Sequence, residues 1–413
     1  PARDWNWADD YLRDERGFSF AEDHRALSEA ERATTELVGI DGAGLMHLKT
    51  RLFETPAERT LVTGSMNPGD DAVSNDETWH LIRDERIFDR YADLYDAVSY
   101  ERPIVNEWVD GAGLNVLSNP ESSGPDAGAR LLGWLQEEDE QILIMAFSLR
   151  DLTAPGVSGS LVSILGEKVA AGVPVVVITD RNQSDGTYDG TEDKLRAVGA
   201  HVYEARNYAT EFTAMHHKVA VLGRTDLRVI TDAANWSKAG LGSTTKPADN
   251  VESTLFVEPG YDGGKLGQRY LAQFVRVLGR YAEQSAAEGE PSFDELGPEL
   301  MGLPGWPEHE VTFVAEEAYT SWGETVRVTG DLPELGAWGA TGLGHPLWTE
   351  PSSYPTWSSP EPLRLPVGAT FEYKLVAERD GVFRWEAGDN HVGFAQPPAF
   401  AEGLGSTQVN LWR

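Results

Sequence analysis

Apolar positions recur along this chain with two periods, and the change from one to the other divides it. The runs QILIMAFSL (141–149) and VPVVVITD (173–180) are short and continuously apolar, the pattern of strands buried on both faces. Between them SLVSILGEKVAAG carries a helical period and stops at Gly172; TEDKLRAVGA, which reaches Gly199, reads as a second helix. HVYEA, HHKVAVLG, LRVITDAANWS and ESTLFVE predict further strands, and a long helical pattern occupies 265–285. Strands alternating with helices predict a mostly parallel or mixed sheet covered on both faces. Residues 1–45 are polar with only a weak helical pattern, AEDHRALSEAERATTEL. Residues 288–308 hold Pro, Gly and acids without a sustained period and read as a linker. From 309 onward, short alternating strands with Gly and Pro turns predict an antiparallel sandwich.

Composition narrows the function classes. The chain has 413 residues, a length that suits two or three domains. It contains no cysteine, which excludes disulfides, thiolate metal sites and cysteine nucleophiles. No apolar run is long enough for a transmembrane helix. With 34 basic and 67 acidic residues the net charge is −33. That charge repels nucleic acid and anionic lipid at long range unless a local basic pocket overrides it. Acidic character, absence of Cys and 13 Trp fit an extracellular or salt-tolerant protein, and a secreted, extracellular location is expected.

An internal repeat carries the candidate chemistry. MHLKTRLFETPAERTLVTGSMN (46–67) aligns with MHHKVAVLGRTDLRVITDAAN (215–235). Each copy is a strand with His-x-Lys, a turn, and a second strand ending in a small-residue turn with Asn. A third strand with an acid at its start follows: NDETWHLI with Glu77 and NVESTLFVE with Glu252. Period-2 alternation puts the His and Lys of each pair on one face, as a phosphate clamp needs.

These residues resemble the phospholipase D superfamily over about 45–285. The resemblance implies an α/β, pseudo-symmetric sandwich of two halves, with His47, Lys49, Ser65, Asn67, His216, Lys218 and Asn235 meeting at their interface. One imidazole would attack phosphorus to give a phosphohistidine while the other protonates the leaving oxygen. Glu77 and Glu252 are the candidate acids that orient the rings. His47 is the expected nucleophile and His216 the general acid. No metal or cofactor is expected. The second copy departs from the family pattern: Gly223 stands where an Asp is usual, and Asp232-Ala233 replaces Gly-Ser. A carboxylate beside a phosphate would repel it. The residues ahead of His47 also contain no convincing βαβ, so the first half lacks its opening strands and a fragment is expected. The expected division is 1–100 and 101–287 for the two halves, 288–308 for the linker and 309–413 for the C-terminal domain.

That last domain resembles the family 20 starch-binding carbohydrate modules through GETVRVTGDLPELGAW, LPVGATFEYKLV and RWEAGDN. The resemblance implies a first glucan site of Trp338, Lys374, Trp385 and Asn390, and a second at Trp322 and Trp357, with Tyr354 a weaker candidate. Trp348 and Trp412 are expected as core or edge packing. The partners expected are therefore starch or another α-glucan and a phosphodiester substrate. The alternative is a non-catalytic glucan-binding protein with a degenerate phospholipase D-like domain.

Overall fold

The computed structural model of the chain describes residues 44–67, 72, 74–184, 190–205, 214–285, 289–339, 343–396 and 405–412, with short strands at Phe20–Ala21 and Leu37–Val38. Apart from those strands, the weak helical pattern ahead of residue 40 lies outside the described residues.

The His-x-Lys copies lie at the starts of two antiparallel three-strand units. In the first, β1 (Arg51–Glu54), β2 (Arg59–Gly64) and β3 (Trp79–Ile82) form a separate sheet in that order. After helix α1 (Glu85–Ser99), capped by the Asp84 carboxylate, come β4 (Leu114–Asn119), α2 (Ala127–Glu137), β5 (Ile142–Ala146) and α3 (Leu161–Ala170). Then follow β6 (Val175–Asp180), α4 (Thr191–Ala197), β7 (His201–Ala205), β8 (Lys218–Leu222), β9 (Arg228–Asp232) and β10 (Glu252–Val257). These strands make one mixed seven-stranded sheet in the order β4-β10-β9-β8-β5-β6-β7. β5, β6 and β7 are parallel, and the β8–β9–β10 meander runs antiparallel as β1–β2–β3 does.

Both faces of the large sheet are buried, which explains the uninterrupted apolar runs of β5 and β6. On one face Leu131 and Leu135 of α2, Ile164 and Leu165 of α3 and Leu195 of α4 join the core. On the other lie α1 and α5 (Lys265–Ser285), with Phe88, Tyr91, Leu271 and Phe274 packed inward.

The expected linker is not irregular. Within it Phe293–Met301 form helix α6, opened by a capping box between Ser292 and Glu295. Leu296 and Leu300 bury into the same core as α5. Its apolar positions Phe293, Leu296, Leu300 and Met301 cover only about two turns, with Gly297 and Pro298 between them, and tertiary burial decides the helix.

The C-terminal domain is a β-sandwich. One sheet holds β11 (Glu308–Glu316), β14 (Trp357–Ser358), β15 (Leu363–Pro366) and β19 (Gly405–Leu411). The other holds β12 (Thr325–Gly330), β13 (His345–Pro346), β16 (Thr370–Arg379), β17 (Val382–Trp385) and β18 (His391–Phe394). It packs directly on the preceding unit: Trp306 Nε1 donates to Val367 O at 2.9 Å, and Val367 belongs to the α5 core. Gly368 sits at φ 90° with its missing Cβ position 2.8 Å from Val275 of α5, a contact that only glycine permits.

Candidate functional site

Each His-x-Lys segment pairs with the other copy's acid strand rather than its own. Met46 bridges Val251 in parallel, and Met215 bridges Asp76 in the same way. His47 N donates to Val251 O at 3.0 Å and His216 N to Asp76 O at 2.9 Å. In return Val251 N donates to Leu45 O and Asp76 N to Ala214 O, both at 2.9 Å. The bridges set the residue after each acceptor strand's bridging position beside the opposite imidazole. His47 Nδ1 therefore meets Glu252 Oε2 at 2.8 Å, and His216 Nδ1 meets Glu77 Oε2 at 2.9 Å.

Two asparagines fasten these crossings. Asn250 Oδ1 accepts from Leu45 N at 3.0 Å while its Nδ2 donates to Glu252 Oε1 at 3.3 Å. Asn75 Oδ1 accepts from Ala214 N at 2.7 Å while its Nδ2 donates to Glu77 Oε1 at 3.2 Å. Sequence reasoning assigned neither residue. The signal was present as Asn-x-Glu in both copies, two positions before each acid.

The lysines also match. Lys49 Nζ donates to His47 O at 2.6 Å, and Lys218 Nζ to His216 O at 2.8 Å. Burial pulls the Lys49 ammonium down to about 8, against the raising influence of Glu252, Glu77 and Asp232. Burial pulls Lys218 well below its ordinary value, opposed by Glu77 and reinforced by Lys49. Each lysine thus feels both glutamates, so the two copies share one electrostatic neighbourhood.

His216 packs its ring edge-on against Phe147, with centroids 4.4 Å apart. Burial, with Lys218 adding to it, lowers this imidazole to about 4 against the pull of Glu77. Burial opposes the charge of Glu77 too, but His216, Ser65 and Lys218 together hold it below the usual carboxylate range. Glu252 is 0% exposed.

The turns differ between copies. Ser65 is buried, its Oγ donating to Glu77 Oε2 at 2.6 Å and accepting from Thr78 N at 2.8 Å. Gly64 is required there, because a Cβ would stand 2.1 Å from Thr78 O. Asn67 is exposed. Asn235 is half-buried, and its Oδ1 is without a hydrogen-bond partner among the described residues. Asp232, expected to face the phosphate, instead turns into a pocket of hydroxyls. Thr63 Oγ1 donates to it at 2.8 Å, and Tyr91 OH and Ser253 Oγ donate to its other oxygen. Burial pushes this carboxyl up to about 6, against the three donors.

In the sandwich, Trp338 and Trp385 are 39% and 48% exposed, tilted at 43° with centroids 6.5 Å apart. Lys374 Nζ donates to Gly388 O at 2.6 Å, and Asn390 Nδ2 to Glu372 Oε2 at 2.8 Å. Trp322 stands 96% exposed. Trp357 does not fit the stacking role expected of it: it is 7% exposed, held in the core by Nε1 donating to Ala318 O at 3.1 Å. Tyr354 is exposed and meets Tyr319 edge-on at 6.2 Å. Tyr319, which the sequence reading passed over, is exposed as well. Trp348 is also exposed rather than packed: its backbone pairs with Ser358 in an isolated bridge while the ring stands outside.

Comparison with known proteins separates the two parts of the chain. Residues 308–396 match the starch binding domain family. The cyclomaltodextrin glucanotransferase of Thermoanaerobacterium thermosulfurigenes is 34% identical over 83 residues, 20% of this chain and 11% of that protein. An AA13 family lytic polysaccharide monooxygenase A of Aspergillus terreus is 37% identical over 107 residues, 25% of each chain. The chain thus spans a quarter or less of the length of these curated relatives. Among solved structures, Nuc of Salmonella typhimurium, a phospholipase D family member, is similar at 20% identity and a TM-score of 0.32, covering 41% of this chain and 95% of that one. The C-terminal sandwich is a starch-binding domain.

Two outcomes follow from this geometry. Burial lowers His80, His216 and His217 each to about 4, so all three stay neutral at pH 6, where a free imidazole is mostly protonated. The unfolded chain takes up these protons near pH 6.5 and the folded one only near 4, so their contribution to stability falls as pH drops through that window. Imidazole NMR titration checks this, and a midpoint near 6.5 for His216 would contradict it. Asn250→Ala leaves Leu45 N without its acceptor and is expected to lower stability by about 1–3 kcal/mol in urea unfolding, with Asn75→Ala similar.

Proposed function

We propose that the chain is a phosphodiesterase acting through a phosphohistidine, held at starch or a related α-glucan by its C-terminal domain and working outside the cell. The observation that carries this reading is the reciprocal pair of His–Glu contacts, each with a lysine anchored beside it. A carboxylate at Nδ1 fixes the ring proton there and leaves the Nε2 lone pair free. Two such imidazoles supply a nucleophile and an acid, and the lysines offset phosphate charge. The matched contacts of the two copies support two pseudo-symmetric halves at 1–100 and 101–287.

Burial favours His216 as nucleophile, the reverse of the assignment expected from the family's order, because a neutral ring attacks and a protonated one does not. Nε2 of His216 bonds to phosphorus, the bond from phosphorus to the leaving oxygen breaks, and His47 gives that oxygen its proton. Water then attacks the phosphorus, His47 takes the proton back, and the N–P electron pair returns to His216. Both proton roles rest on imidazole, so turnover is expected to survive EDTA. Asn67 and Asn235 are the candidates for binding the phosphate oxygens and leaving group, whereas Ser65, whose hydroxyl donates to Glu77, positions that carboxylate. A non-catalytic glucan-binding protein is the second reading; the deep burial of Lys218, which disfavours its charge, supports it.

Quenching a reaction on a labelled phosphodiester in alkaline denaturant tests the first reading. Label on His216 is expected, label on His47 restores the opposite order, and neither label nor turnover on any phosphodiester leaves the second reading. For the glucan, Trp338 and Trp385 offer paired aromatic faces, with Lys374 and Asn390 beside them and Trp322 at a second site. Trp338→Ala with Trp385→Ala is expected to lower retention on starch at least tenfold, measured by affinity electrophoresis. Unchanged retention would remove both residues from the first glucan site.

A further inference from the structure

Beside the His216–His217 segment that leads into β8 lies a cleft of about 600 Å³ between β3 and α5. Its walls reverse the sign of the chain as a whole. Lys265, Arg269 and Arg276 line it from α5 and Arg83 from just after β3, whereas among the described residues its only acids are Glu77 and Asp262. In a protein of net charge −33, this is a local positive site within a repelling field. The spacing 265, 269, 276 follows one stripe of a helix, so the three cations extend over about 16 Å. That length exceeds one phosphate and suits several along a chain. Among the described residues, Lys265 and Arg276 make no ion pair, while Arg83 pairs with Glu58.

Two neutral features refine the ligand. Trp79, 53% exposed, lines the cleft and offers an aromatic face, with the Arg51 guanidinium 5.1 Å from its ring centroid. Gln396, from the starch-binding domain, lines it as well, so the cleft lies where the two units meet. An indole stacks on a sugar ring and the cations take phosphate esters.

We propose that this cleft binds a phosphate-bearing α-glucan segment, at a site separate from the tryptophan surfaces of the sandwich and adjoining the His–Lys centre through Glu77. The inference does not require that the chain be an enzyme, because its test reads binding alone. The test uses the full chain with Trp322, Trp338 and Trp385 replaced by Ala, so that glucan stacking on the sandwich is silenced. Calorimetry with maltoheptaose carrying phosphate esters is expected to show binding, and unmodified maltoheptaose none. Arg276→Gln with Lys265→Gln, both on the helix surface, is expected to weaken that binding at least tenfold without moving the melting temperature. Trp79→Ala is expected to weaken the phosphorylated sugar while leaving inorganic tripolyphosphate unaffected. Equal affinity in the charge variant would overturn the site. Tripolyphosphate binding as tightly as the phosphorylated sugar, with no loss in Trp79→Ala, would overturn the glucan assignment.

Discussion

Two short parallel bridges, Met46 to Val251 and Met215 to Asp76, are the constraint on which the site depends. Each places a backbone segment with His-x-Lys against the strand that follows the other copy's turn. Because successive side chains on a strand face opposite ways, the position next to the bridge decides which carboxylate meets which ring. A slip of one residue would turn Glu252 or Glu77 away from its imidazole. The asparagine two places before each acid resists that slip, since one side chain ties both the incoming backbone and the carboxylate.

Burial then sets the charge states. The glutamates are removed from water yet hydrogen-bonded on both oxygens, the condition under which a buried carboxylate is tolerated. The lysines satisfy themselves partly on the carbonyls of their own histidines, which fixes their positions but does not supply the missing hydration. Asp232 shows the same economy of partners. Its carboxyl, replacing a small residue of the turn, draws donors from β2, α1 and β10 and so ties the two strand units together.

The starch-binding domain is docked rather than strung on a flexible tether. The α6 helix and Trp306 fill the junction, and the Gly368 turn lies against α5. A docked module gives its glucan a fixed direction relative to the rest of the protein, where a flexible linker would supply only local concentration.

The strands and helices of the larger unit were legible in the sequence because they are buried on both faces or along one stripe, and burial writes itself as apolar period. His-x-Lys, Glu77 and Glu252 were legible because they occur twice at matched spacing. The sequence could not say that the glutamates act across copies, since chain order places each acid nearest its own histidine and only strand pairing exchanges them. Nor could it separate Trp322 from Trp357: both are tryptophans beside turns, and whether an indole finds a backbone acceptor inside the sandwich or stands in water depends on the fold around it. Helix α6 was hidden for a similar reason, its two apolar turns, broken by Gly297 and Pro298, being too short to show a sustained period until α5 covered them. Spacing along the chain determined which residues are available for chemistry; the three-dimensional pairing of distant strands decided which of them touch, because hydrogen-bond register acts between segments that the sequence keeps apart.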